Sequence, residues 1–217
     1  MPNTREEVER ENKLMEPSKL LLTQASIDVV AFGASEESRY HFNAIHITNE
    51  YVQATDGHML VRVTHPKMNA DDYPETPGSG FEEAINCIIA RGDLKSLKIP
   101  KKSPLPILQH VCLSQENGNI LLTTGDLSAM QTLKIHPVDA DYPETDQVIP
   151  EKGGLCFSVD AKLLKVICDY VAKQSPKDKP AQLTFYVTEN DGCPIRFEFS
   201  VNGGDQQGMG VLMPLRK

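Results

Sequence analysis

Residues 42–63 read FNAIHITNEYVQATDGHMLVRV, and this stretch decides the fold. FNAIHITNEYVQAT has the form of a β-hairpin with its turn near Asn49-Glu50, and apolar residues alternate on both sides of TDGH. An Asp and a His two positions apart, Asp56 and His58, can be catalytic partners or metal ligands. The same four residues can form a tight turn, with Gly57 supplying a positive φ. A hydrolase or metal site needs further ligands at matching spacing, and His41, His46 and His65 form no HExxH or HxH pattern. The expectation is therefore a turn with binding-surface side chains, with no catalytic residue, metal or cofactor. A metal-dependent hydrolase at Asp56/His58 stands as the remote alternative.

Working outward, the same device recurs. HVCLSQENGNILLTT places two short strands around Asn117-Gly118, and LTFYVTENDGCPIRFEFSV does so around Asp191-Gly192. A helical segment precedes each hairpin. In SVDAKLLKVICDYVAKQ an apolar face is formed by Leu163, Leu164, Val166, Ile167, Tyr170 and Val171, with Ser158 or Asp160 as N-cap. RGDLKSLKI is shorter, with Asp93 as its candidate cap, and QASIDVVAFGA ends at Gly33 or soon after.

The chain also repeats itself. THPKMNADDYPET (64–76) and IHPVDADYPET (135–145) share His-Pro, an acidic stretch and Asp-Tyr-Pro-Glu-Thr, each downstream of a hairpin and a Thr/Gly turn. The simplest account is a helix-plus-strands unit copied at about 17–77 and 85–150, with a diverged third at about 153–217. Small sheets joined edge to edge, with helices on one face, give a two-layer α+β architecture. The stretch DDYPETPGSG reads as a surface loop, part of a 67–84 insertion. The expected layout is a charged tail over 1–16, a two-unit domain over 17–150 and a third unit over 151–217.

Composition narrows the function classes. A length of 217 residues with 40% hydrophobic content is ordinary for a globular protein that buries a core. No stretch approaches the ~20 apolar residues that span a membrane, and MPNTREEVERENKL is too charged for a secretory signal. Five scattered cysteines without a CxxC pair argue against a disulfide framework or structural zinc, and fit reduced thiols in a cytoplasm. A net charge of −8 excludes an all-over basic coat but permits a local basic face.

RYHFNAIHITNEYVQATDGHMLVRV resembles the middle domain of the bacterial DNA polymerase III beta sliding clamp, where an Arg-Tyr-Tyr-Leu-Asn-Gly-like strand leads to a Thr-Asp-Gly-His-Arg-Leu turn. DYPETDQVIP is similar to the stretch closing that domain, GCPIRFEF to the penultimate strand, and VLMPLRK to the C-terminal Val-Met-Pro-Met-Arg-Leu. The resemblance covers roughly 18–217: both units of the middle domain and only the final unit of the last. It implies the α+β DNA-clamp fold, repeated helix-plus-antiparallel-strands units forming continuous sheets with helices on one face.

The resemblance also implies a pocket for short peptide motifs of DNA polymerase, clamp loader or repair proteins. Carried over residue by residue, its wall takes Phe42 from the first strand and Thr55, Gly57, His58, Met59 and Leu60 from the turn. Pro143 and Val148 come from the closing segment, and Val211, Leu212, Met213, Pro214, Leu215 and Arg216 from the tail. Met59 stands where the family has Arg, and Lys217 where it ends in Leu. A groove of Leu, Val, Met and Pro suits an apolar anchor in its own right.

The family's helices face double-stranded DNA, which places Arg91, Lys95, Lys98, Lys101, Lys102, Lys162, Lys165 and Lys173, with Tyr40 and His41, toward phosphates in sequence-independent contact. A solvated polar face is the plain reading of the same lysines. The implied protein is a non-enzymatic, cytoplasmic homo-oligomer that tethers replication proteins to DNA. A truncated relative, serving as a non-encircling adaptor or competitor, is the alternative.

Overall fold

Asn117 and Gly118 carry φ angles of 51° and 77°, the pairing that lets two strands close through a two-residue turn. Around them β6 (Val111–Glu116) and β7 (Asn119–Gly125) form the hairpin read from the sequence, with Glu116 opposite Asn119. The hairpin at Asn49-Glu50 is likewise present, joining β2 (Ala44–Thr48) to β3 (Tyr51–Thr55). The Thr48 hydroxyl accepts the Glu50 and Tyr51 amides and so clamps that turn. The structure is a computed structural model that describes residues 19–35, 43–94, 97–100, 103, 105–126, 128–150, 156–176, 179–187, 193–201 and 206–215. The N-terminal tail and the Asp191-Gly192 turn lie outside the described residues.

The chain divides into two units, residues 1–144 and 145–217. In the first, the order strand, helix, three strands occurs twice. One copy is β1 (Leu20–Leu22), α1 (Gln24–Asp28), β2, β3 and β4 (Leu60–Thr64). The other is β5 (Asn86–Ala90), α2 (Arg91–Leu94), β6, β7 and β8 (Met130–Ile135). Thr23 caps α1 reciprocally with Ser26, and a 3-10 turn at Val29–Phe32 carries the segment to Gly33, as its sequence suggests. Asp93, expected as a cap, instead lies within the single turn of α2.

The two copies join by exchanging their first strands, so each sheet runs on from one copy into the other, as the repeat suggests. β1 pairs with β6, giving the order β1-β6-β7-β8, and β5 pairs with β2, giving β4-β3-β2-β5. Both exchanges are antiparallel: Leu22 opposes Val111, and Ile89 opposes Ile45. One buried cluster takes Leu22, Val111, Leu113 and Leu122 from one sheet and Ile45, Ile47, Val52 and Ile89 from the other. Each such side chain contributes about 1.5–3 kcal/mol on burial, so a core shared by both sheets favours the exchange.

The repeated Asp-Tyr-Pro-Glu-Thr is where each copy's trailing segment crosses to the other copy's sheet. Tyr73 is buried against Leu21, Leu108 and Cys112 and donates to the His110 carbonyl at 3.2 Å. Tyr142 stacks on His46 with ring centroids 4.6 Å apart. Burial pushes both phenols up to about 12. The stretch after Tyr73, expected as a surface loop, is instead a strap seated on β6. Thr76 is buried and receives Lys19, the Ser114 hydroxyl donates to the Pro77 carbonyl, and Ser79 and Gln115 exchange both backbone bonds. Ser79 thus takes over the β6 edge where the three-residue β1 stops.

The second unit holds one helix and one sheet. Asp160 accepts the Lys162 amide and caps α3 (Ala161–Gln174). The sheet order is β11-β10-β9, from β9 (Leu183–Tyr186), β10 (Ile195–Val201) and β11 (Gln206–Leu212). Gly208 and Gly210 stand opposite Phe199 and Phe197, whose rings occupy the space a Cβ would need. Ile195, Phe197 and Leu212 form the core, with Leu164, Ile167 and Leu183 packed on it. Leu163, Val166 and Tyr170, read as part of the same apolar face, stay exposed because one three-stranded sheet covers only one side of the helix.

Candidate peptide-binding turn and tail

The TDGH stretch is an Asx turn closing β3 onto β4. The Asp56 carboxylate accepts the His58 amide at 2.8 Å and the Met59 amide at 2.7 Å. The Thr55 hydroxyl donates to the Met59 carbonyl at 2.6 Å and accepts the Gly57 amide, and Gly57 sits at φ 88°. Bonds from the Met59 and His58 amides hold the Asp56 carboxyl below the usual carboxylate range. The second copy rebuilds this device between β7 and β8, where Asp126 accepts the Ser128 and Ala129 amides, both at 2.8 Å. An acid that recurs with the same backbone partners, and without a histidine two residues on, is a turn former.

His46 and His65 are committed elsewhere. His46 Nδ1 accepts the Gln53 amide at 2.9 Å, which leaves its Nε2–H to donate to Asn86 Oδ1 at 2.7 Å. His65 Nε2 meets the Thr48 carbonyl at 2.8 Å. Among the described residues no group of His, Cys, Asp or Glu is placed to hold a metal ion, and no helix is long and apolar enough to cross a membrane.

Asp56→Asn should retain most of the thermal stability, because its carbonyl oxygen accepts the same two amides. Asp56→Ala should lower the melting temperature and broaden the amide resonances of 55–60. Equal melting temperatures for both variants would show that the turn does not depend on this acceptor.

Around the turn, Thr55 is buried, while Gly57, His58 and Met59 are exposed and Leu60 is half-buried. Pro143 follows Tyr142, whose stack on His46 holds the closing segment against β2. These residues belong to the first unit. Val148, Val211, Met213 and Leu215 belong to the second, where all four are exposed and Pro214 is half-buried. Leu212 differs: it is 4% exposed and part of the core, so its side chain faces away from any surface groove. The glycine alternation of QQGMGVL held the signal for this. Residues 208, 210 and 212 share the face beneath the phenylalanines, and 209, 211 and 213 share the open one. The tail is anchored at its far end by the Leu215 amide, which donates to the Ser158 carbonyl at 2.7 Å. Phe42 and Arg216 lie outside the described residues.

Of the candidate DNA-facing groups, Lys98, Lys162, Lys165 and Lys173 are exposed. Lys165 pairs with Asp169 one turn on, and Arg91 reaches the Gly33 carbonyl at 3.4 Å. Tyr40, His41, Lys95, Lys101 and Lys102 lie outside the described residues.

No protein-family model and no curated protein matches this sequence. Solved structures do. The Pseudomonas aeruginosa DNA polymerase III subunit beta aligns over 99% of this chain and 53% of its own, with 16% identity and a TM-score of 0.59. A Bartonella birtlesii DnaN sliding clamp bound to griselimycin aligns over 100% and 54%, with 17% identity and a TM-score of 0.56. The C. crescentus beta sliding clamp aligns over 91% and 50%, with 18% identity and a TM-score of 0.55. The chain thus spans about half the length of these clamps, and what it shares with them is their mixed α/β, antiparallel-sheet architecture: it has the fold of a bacterial beta sliding clamp.

Proposed function

We propose that this chain is a non-enzymatic, cytoplasmic accessory protein of DNA replication or repair, which holds short apolar motifs of polymerase, clamp-loader or repair proteins at DNA. The observation that carries this reading is the conjunction of a clamp fold along nearly the whole chain with an apolar, exposed tail at Val211, Met213 and Leu215. Exposed apolar side chains of this kind suit a binding surface, and flexible Met suits ligands of varied shape. The turn residues Thr55, Gly57, His58, Met59 and Leu60, with Phe42, Pro143, Val148, Pro214 and Arg216, are proposed to serve the same motifs.

The test is binding of a clamp-binding peptide, with griselimycin as a second probe because the B. birtlesii clamp was solved bound to it. Short anchors of this kind bind near micromolar, about −8 kcal/mol. Met213→Ser combined with Leu215→Ser should weaken the peptide by at least about tenfold, in line with a loss of about 1.4 kcal/mol or more from two apolar contacts. Point changes are preferable to deletion from residue 211, because deletion removes Leu212 and damages the core. Unchanged affinity in the double variant would remove the tail from the pocket.

DNA contact is proposed for Lys98, Lys162, Lys165 and Lys173 together with Tyr40, His41, Arg91, Lys95, Lys101 and Lys102. It is sequence-independent and weakens steeply with salt. Encirclement is proposed to require an oligomer. The second reading is an adaptor or competitor that binds the same motifs without encircling DNA. Retention on circular but not linearised DNA selects the ring, and peptide binding without retention selects the adaptor.

A further inference from the structure

The first unit shows how two copies of this fold complete each other, and the second unit is one copy to which, among the described residues, no opposite copy is paired. In the first, the β5 residue Ile88, three before the start of α2, accepts the amide of Val138, three beyond the end of β8. In the second, Ser158, three before α3, accepts the amide of Leu215, three beyond β11. Residues 156–160 therefore occupy the place of β5, and the tail occupies the place of the segment at Val138.

The other edge of β5 is filled by β2 from the opposite copy. Residues of a strand present their backbone groups alternately to its two edges. With Ser158 turned to the tail, Phe157 and Val159 face the opposite edge, and among the described residues no strand lies there. The complementary vacancy is on β9. It corresponds to β2 and β6, which take the first strand of the opposite copy, yet β9 pairs with β10 alone among the described residues. In the same unit Leu163, Val166 and Tyr170 are 52%, 66% and 53% exposed, and Phe157 and Phe185 are also open.

We propose that two copies of this chain pair through their second units by exchanging residues 156–159, each seated antiparallel on β9 of the other. A two-fold pairing is self-consistent, since each copy offers the strand and the edge that its partner lacks. The register follows from both exchanges in the first unit. Leu22 on Val111 and Ile89 on Ile45 each place Val159 opposite Leu183. Leu20 on Leu113 and Cys87 on Ile47 each place Phe157 opposite Phe185. Thr184 then opposes Ser158. The proposal rests on the fold and not on the peptide pocket, so the two fail separately.

The experiment uses the full chain. Sedimentation over a wide concentration range should give a dimer, and Phe185→Glu should raise its dissociation constant by about a hundredfold, the loss expected for a central aromatic anchor. A second variant joins Ser158→Cys to Thr184→Cys with Cys156, Cys168 and Cys193 replaced by Ser. Directly opposed residues sit about 4.5–5.5 Å apart between Cα atoms, within disulfide range. On mild oxidation its mass should double without reductant and halve with it. A monomer at every concentration overturns the proposal, as does a dimer that forms no disulfide between these positions or that survives Phe185→Glu undiminished. If Phe185→Glu fails to fold, the cross-link alone decides.

Discussion

Gly78→Ala is expected to destabilise the first unit by about 3–4 kcal/mol. Gly78 sits at φ 79°, where a side chain costs about 1–2 kcal/mol by itself. A Cβ there would also stand 2.7 Å from the Gln115 carbonyl oxygen and 2.9 Å from both Leu121 Cδ1 and the Ser114 hydroxyl. Gln115 is held by its ladder to β7 and by Ser79, so the clash cannot be relieved by a side-chain rotation. Such overpacking adds about 1–3 kcal/mol. Gly118 supplies the control, with φ 77° and open space around its Cα. Gly118→Ala should cost only the conformational part, about 1–2 kcal/mol. Urea denaturation compares the two directly. A Gly78 variant as stable as the Gly118 variant would mean that the strap is not seated on β6 as described.

Gln53→Leu is the second large effect, at about 3 kcal/mol. Gln53 is 1% exposed and joins a polar string running across all four strands of its sheet. The Arg62 guanidinium donates twice to its Oε1, at 3.1 and 2.9 Å, which fixes the amide so that its nitrogen meets His46 Nδ1. His46 in turn donates to Asn86. Leucine fills much of the volume but leaves groups on both neighbouring strands short of a partner, at about 1–3 kcal/mol each when buried.

The string also sets a pH dependence. Burial, reinforced by Arg62, holds His46 below its ordinary 6.5 despite the bond to Asn86, and burial lowers His65 as well. Both groups fold neutral and unfold with a higher proton affinity. Their stability is therefore complete above about pH 6.5 and is lost as pH falls below it, toward the folded values. The melting temperature should drop between pH 7.5 and pH 5. Gln53→Glu would set a carboxylate against His46 Nδ1, favour the imidazolium and flatten that drop. An unchanged slope in Gln53→Glu would show that the His46 contact is not formed in solution.

Much of the hairpin pattern was legible because it is local. Asn117-Gly118 and Asn49-Glu50 dictate their turns through backbone preferences that need no distant partner. The Asp56 turn was legible for the same reason, its acceptor and both donors lying within three residues. The repeated Asp-Tyr-Pro-Glu-Thr was visible too, though not its purpose. Which sheet Tyr73 and Tyr142 cross to depends on which strands of the other copy come to lie beside them.

Alternation specifies which face of a strand is buried and is silent about which strand lies beside it. Nothing in LLL at 20–22 or NCIIA at 86–90 distinguishes a neighbour within the same repeat from one in the other. The exchange is decided by burial of a shared core, a sum over both sheets that no short window contains. The same reason left Leu212 and Val211 undivided until the packing of Phe197 turned one inward and the other out. The sequence by itself determined the turns at Asn49-Glu50, Asp56 and Asn117-Gly118 and the repeat, and left Ser158 and Asp160 both open as the cap of α3. Only the tertiary structure decided the strand partners, the seat of the strap and the unfilled edges of the second unit, because those depend on free energies gained between segments far apart in the chain.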